Sequence, residues 1–412
     1  PCDGCHHCQH TRERDRPTHP FSVARSSPSA YFRCVRRIAL TLLLVGCGAR
    51  TPLGTSVSTQ PETCQPKPPR CDHWVLGADH LIEPSRPTEG LSIYSAAVAT
   101  DCGVLISWER APWETTRLAP DGSRTDEPNH TTFSHQVGEK MWLAAHGSTI
   151  AAMQQGSGPQ GSPCVFVPLD VHGANAGAVV QTSDVTGSCR DLAATDAGFS
   201  FLSATGRGEL FNVDATGALL AQTALNVPST RSVWDRAMLD DGSFILNSFS
   251  EDFLTDVYTT WLRHFDSKGA PLADEVVVDS KVAPVHVAQS GSGLLVVWQW
   301  SALEVVPTNR HGVETGQRVD IAMTGPPYGV SVVSLPNGDV MALSVELGGH
   351  DFNVTVHQLA PSGLPRGTSL TLPIHPEQST LTPVVSPNGD LLIAYLENAT
   401  HDLRVQSLTC VP

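Results

Sequence analysis

The sequence predicts an all-β chain folded as a seven-bladed β-propeller, with four antiparallel strands per blade and the last blade closed by the N-terminal strand. Three observations predict it: a glycine-marked hairpin recurring at a fixed period, apolar strands suited to burial on both faces, and no sustained helical stripe with caps. The hairpin is clearest at Ser331–Leu343 and Thr382–Tyr395, where an apolar strand, a Pro-Asn-Gly-Asp turn and a second apolar strand follow in order.

Gly103, Gly147, Gly198, Gly242, Gly293, Gly338 and Gly389 mark this turn, at spacings of 44, 51, 44, 51, 45 and 51 residues. A period in that range suits a blade of four strands, and seven markers are read as seven blades. Six blades carry a second turn glycine, at Gly122, Gly173, Gly217, Gly269, Gly312 and Gly363, each 24 to 26 residues before the next marker. Length therefore varies only inside the blade. With strands named a to d from the axis outward, the two glycine turns lie on one face. The b–c and d–a connections lie on the other, and extra residues decorate it near 154–163, 250–257 and 346–352. Loops on a rigid scaffold commonly carry function.

Strand b is a near-continuous apolar run, as in Val104-Leu105-Ile106-Ser107-Trp108 and Leu294-Leu295-Val296-Val297-Trp298. Such runs fit strands covered by neighbouring blades. Strand c alternates, as in Phe352-Asn353-Val354-Thr355-Val356-His357.

The first seventy residues read differently. Residues 1–34 are rich in His, Arg, Cys, Ser and Pro without apolar period, and are read as a disordered extension that is removed or not translated. Cys2-Asp3-Gly4-Cys5-His6 matches a haem attachment pattern, but it precedes an export signal, so no cofactor and no metal is expected. Residues 35–47 form that signal: Arg36-Arg37, a short apolar run too brief to span a bilayer, and Leu44-Val45-Gly46-Cys47. These four residues resemble the bacterial lipobox. The resemblance implies lipidation of Cys47, an anchor in the membrane and, with Gly48 next in the chain, an outer-membrane or cell-surface address. Residues 48–70 are a Pro/Thr/Ser-rich tether, and the propeller is assigned to 71–412.

The seventh blade runs out before its fourth strand, and His73–Ile82 is expected to supply it, joining the chain ends in one sheet. Downstream of the lipidated Cys47, six cysteines remain in an exported chain. The blade geometry favours Cys71 with Cys410 across the closure and Cys164 with Cys189 between blades; Cys64 with Cys102 is left by elimination.

The chain carries a net charge of −15. Residues 1–46 hold seven Arg against Asp3, Glu13 and Asp15, so residues 47–412 stand at −19. That balance repels phosphate backbones and excludes nucleic-acid binding. No GxSxG or HExxH motif is present. The candidates are therefore positional, on the decorated face. Glu109, Arg110, Glu251, Asp252, Asp256, Glu346, His350 and Asp351 supply charge. Trp108, Trp113, Trp298 and Trp300 could stack on a sugar or wedge blades apart.

Leu239-Asp240-Asp241-Gly242-Ser243-Phe244-Ile245-Leu246, with Leu262-Arg263-His264-Phe265-Asp266-Ser267-Lys268-Gly269, shows the blade grammar in full. It resembles the repeat-containing secreted propellers and lipoproteins of deltaproteobacteria of the myxobacterial type, over roughly 71–412. The resemblance is one of pattern and carries no catalytic residue across. The Trp-Asp ending of WD40 blades and the double Gly of kelch blades are missing. The expected role is a binding or scaffold module at the cell envelope with a protein or polysaccharide partner. A glycan hydrolase or lyase at the axial mouth, and a purely structural subunit, remain as alternatives.

Overall fold

The computed structural model describes residues 71–411 except 72, 85–94, 101–102, 109–112, 132–140, 147–148, 156–163, 183–188, 204–207, 253–256, 280–284, 300, 349–350 and 378–380. The extension, the signal with Cys47, and the tether with Cys64 lie outside the described residues, as does Cys102.

Among the described residues, every helix or strand element is a β-strand. Six four-stranded antiparallel sheets are each built by four consecutive strands: blade I from residues 95–131, blade II from 141–182, blade III from 189–224, blade IV from 232–279, blade V from 286–321 and blade VI from 327–372. A closing sheet orders His73–Glu83, Leu403–Val411, Leu391–Leu396 and Thr382–Val385 from outside inward. The first strand of each blade touches the first strand of the next, and Thr382–Val385 touches those of blades VI and I, so the ring is closed.

The blade count read from the glycine markers is corrected here. The chain completes six blades by an uninterrupted run, not seven. The hairpin opened by Gly389 continues into Leu403–Val411, and the fourth strand of that sheet is not the next one along the chain. His73–Glu83 fills that edge from the opposite end, in antiparallel register from His73 opposite Val411 to Glu83 opposite Leu403. The sheet is therefore a two-ended closure, not a seventh copy of the repeating unit. Cys71 and Cys410 are joined across it. Asp79 also accepts from Tyr395 Oη at 3.1 Å and from Arg404 Nε at 2.7 Å. A sheet edge that would otherwise invite foreign strands is covered by the chain's own start.

The hydrophobic core is divided among the seams. Val104, Ile106 and Trp108 of blade I pack with Leu392, Ala394 and Val405 of the closing sheet. Phe166 of blade II meets Phe199 of blade III with ring centroids 5.6 Å apart. Corresponding clusters fill the other seams. The second strands are buried from end to end in Gly103–Trp108 and Leu391–Leu396, which explains why they read as unbroken apolar runs. At about 25 cal/mol per Å² of apolar surface, each such aromatic contributes on the order of 2–3 kcal/mol against leaving it in water.

The second glycine of each blade does more than turn the chain. Gly173 adopts φ +83°, and a Cβ there would stand 2.5 Å from Thr115 Cγ2 of blade I. Gly217 would likewise strike Phe166 of blade II. These two turns are thus pressed against the preceding blade, where only a hydrogen fits.

Candidate functional site at the axial mouth

Blades IV and VI have second and third strands of nine residues, Phe244–Asp252 with Val257–Phe265 and Val340–Gly348 with Asp351–Leu359. Their hairpins extend the decorated face. Opposite them, the innermost strands are interrupted. Pairing slips between Val233 and Asp235 in blade IV and between Pro327 and Gly329 in blade VI, which leaves Trp234 and Tyr328 outside the ladder. Blade III slips between Arg190 and Leu192, leaving Asp191 unpaired at φ 51°. Bulges of this kind re-aim a side chain and recur beside functional sites.

The released aromatics sit in small groups. Trp234 lies edge-on to Phe249 with centroids 5.9 Å apart, and Phe249 faces Tyr258 at 6.3 Å. Tyr258 Oη donates to Glu251 Oε1 at 2.9 Å. In blade VI, Tyr328 is 51% exposed and meets Phe352 at 4.4 Å, beside Leu347 at 39% exposed. Apolar groups of this size on rigid hairpins, half-buried in blade IV and exposed in blade VI, suit a contact surface.

Between blades III and IV the innermost strands carry four charges. Arg236 is fully buried in its side chain, pairs through Nε with Asp191, and donates from Nη1 to Ser200 Oγ at 3.0 Å and from Nη2 to Ser200 O at 2.6 Å. Each nitrogen of that guanidinium has a partner. Arg190 differs: its Nε is buried with no hydrogen-bond partner among the described residues, and its head lies 5.9 Å from the Trp234 ring. Burial presses the Arg190 pKa down and the charge of Asp235 opposes this. Asp235 accepts from the Arg236 amide at 2.8 Å. Burial, and then the neighbouring Asp191 charge, push its carboxyl up to about 7. A carboxyl displaced that far beside a bulge marks a candidate site.

Several rim candidates are corrected. Trp108, Trp113 and Trp298 are buried in the seams, at 2%, 2% and 0% exposure, so they wedge blades and face no ligand. Glu346 is 2% exposed; its Oε2 accepts from the Thr324 amide at 2.7 Å, Thr324 Oγ1 at 2.6 Å and the Gly325 amide at 2.7 Å. It anchors the entry to blade VI. Glu251 is half-buried beside Tyr258, and Asp351 is exposed at the blade VI tip, where Asn398 Nδ2 reaches it at 3.3 Å. The backbone of Asp252 pairs with Val257. Glu109, Arg110, Asp256, Trp300 and His350 lie outside the described residues. Cys164 and Cys189 are joined, with Cα atoms 5.6 Å apart.

The axial charges escape a reading that looks for candidates in loops. A signal exists in the strands themselves: aligning the innermost strands by their glycines puts Arg or Asp only in Cys189–Thr195 and Ser232–Met238, while the others are uncharged or carry His. Among the described residues, no group of three His, Cys, Asp or Glu could hold a metal ion. A separate open cavity of about 830 Å³ lies at the outer turns of blades II and III, lined by Pro168, Leu169, Ala178, Val180 and Ala218.

No protein-family model matches the chain, and no curated protein matches it. Solved structures do. BBS1N in complex with ARL6DN aligns at TM-score 0.50 and 10% identity, over 82% of this chain and 97% of that one. Hydrazine synthase of Kuenenia stuttgartiensis aligns at TM-score 0.50 and 11% identity, over 78% and 96%. BamB from Moraxella catarrhalis aligns at TM-score 0.42 and 14% identity, over 81% and 97%. At such identities the two likenesses at TM-score 0.50 show the propeller fold alone, and nothing is drawn from the third.

Proposed function

We propose that this chain is a cell-envelope lipoprotein, anchored through Cys47 at the outer membrane or cell surface, that binds a protein partner at its decorated face. The observation that carries the reading is the release of Trp234 and Tyr328 from their ladders beside the two hairpins built of nine-residue strands. Two aromatic groups on a rigid ring provide large contact area at low entropic cost. The envelope address rests on the signal and lipobox at 35–47. That a propeller can serve as a protein-binding platform is supported by BBS1N, whose structure is a complex with ARL6DN. The glycan hydrolase reading has less support, because Glu346 is consumed by the blade VI entry and Glu251 by Tyr258.

The test is affinity capture from solubilised envelopes with the wild-type chain and with Trp234→Ala and Tyr328→Ala. A discrete protein recovered by the wild type and lost at least tenfold in either variant supports the reading. Recovery equal in all three, or retention on a polysaccharide column that the same variants abolish, overturns it.

A further inference from the structure

Within that same face, and resting on its being a protein-binding face, the structure assigns a chemical preference. We propose that Arg190 receives a carboxylate from the partner, a side-chain Asp or Glu or a chain terminus, beneath Trp234.

Four features converge. Arg190 and Arg236 occupy adjacent innermost strands, but only Arg236 has a partner on every guanidinium nitrogen, Asp191 on Nε and Ser200 on both Nη atoms. Arg190 keeps a buried Nε with no acceptor among the described residues, in a residue that is itself only partly buried, and a guanidinium in that state favours a planar anion at its open edge. Its position is fixed on both sides: Cys189, the preceding residue, is tied to Cys164, and Asp191, the next one, is tied to Arg236. The aromatic ring of Trp234, set free by the bulge, flanks the fork and would cover the aliphatic part of an incoming acidic residue.

The neighbouring Asp235 makes the site conditional. While ionised it competes for Arg190; once protonated it leaves the guanidinium free. The other charges acting on it are Asp191 and Arg236, which pair with each other; His286, on the next innermost strand, is lowered by burial to about 4. Asp235, raised to about 7, changes charge between pH 6 and pH 8.

The experiment uses the disulfide-intact chain labelled with ¹⁵N, observing the Arg Nε–H and Trp indole resonances. The probes are N-acetyl-aspartate amide, N-acetyl-glycine and galacturonate, each against N-acetyl-glycinamide at matched ionic strength. The inference expects saturable shifts of the Arg190 and Trp234 signals with a carboxylate probe. It expects at least tenfold weaker binding in Arg190→Met, partial recovery in Arg190→Lys, and tighter wild-type binding at pH 6 than at pH 8, a difference that Asp235→Asn removes. N-acetyl-aspartate amide binding tighter points to a side-chain acid, and N-acetyl-glycine binding tighter to a chain terminus. Shifts equal for the neutral amide, or unchanged in Arg190→Met, refute the inference. Preference for galacturonate refutes the protein source. If Arg190→Met captures the envelope partner as well as wild type while Trp234→Ala does not, the inference falls and the binding face stands; if neither variant matters, both fall.

Discussion

Removing the closure disulfide should cost more than removing the inter-blade one, by an amount set by the chain. Cys71 and Cys410 are 339 residues apart, whereas Cys164 and Cys189 are 25 apart. A crosslink constrains the unfolded chain by an entropy growing as 1.5R times the logarithm of loop length, giving roughly 6 kcal/mol for the long loop and roughly 3.5 for the short one. The constant and much of the model error cancel in the difference, which is about 2 kcal/mol at 25 °C. The perturbations are Cys71→Ala with Cys410→Ala and, separately, Cys164→Ala with Cys189→Ala. Unfolding in guanidinium, monitored by tryptophan fluorescence and circular dichroism, gives both free energies if the transitions coincide. The long-loop variant should also show the larger m-value, because its unfolded state expands more. A short-loop variant as destabilised as the long-loop one, or more so, refutes the closure as the main topological constraint.

The same structure carries four further expectations. Gly173→Val, with φ +83° and a 2.5 Å clash against Thr115, should destabilise by about 2–4 kcal/mol, read by thermal melting. Glu346→Gln should cost about 2–3 kcal/mol by weakening charge-assisted bonds to the Thr324 and Gly325 amides. The Asp235 carboxyl sits above its unfolded value, so the folded state holds the extra proton between about pH 4 and pH 7. Its contribution to stability is full below that window and lost as pH rises through it, so Asp235→Asn should raise the melting temperature more at pH 8 than at pH 5. His286 works in the opposite sense: burial lowers it to about 4, the unfolded state binds the proton first, and stability should fall as pH drops from 6.5 toward 4, less so in His286→Phe.

The ring was legible because its determinants are local. Turn glycines, apolar second strands and the missing last strand all leave marks at fixed spacing, and the meeting of His73–Glu83 with Leu403–Val411 comes from a sheet edge that needs cover. What the spacing could not carry was the blade count: seven glycine markers stand over six uninterrupted blades. The site was poorly legible for a different reason. Glu346 looks like a loop acid, yet two amides fold back onto it; Trp108 and Trp298 look like rim aromatics, yet they fill seams. Which way a side chain faces near a strand end depends on register, and the bulges at Arg190, Val233 and Pro327 shift register by one residue without altering the apolar pattern. The charges of Cys189-Arg190-Asp191 and Trp234-Asp235-Arg236 stood in plain view but lay on the axis, not in a loop.

The decorated face is tested most directly by site-specific photo-crosslinking in the native envelope. A photoreactive phenylalanine would replace Tyr328 on the blade VI mouth or, as a control, Leu220 on the exposed outer edge of blade III, which is 53% exposed. The account predicts one discrete protein adduct from position 328 and none of that mass from position 220. The same adduct at both positions, or none at 328 while 220 yields one, contradicts it.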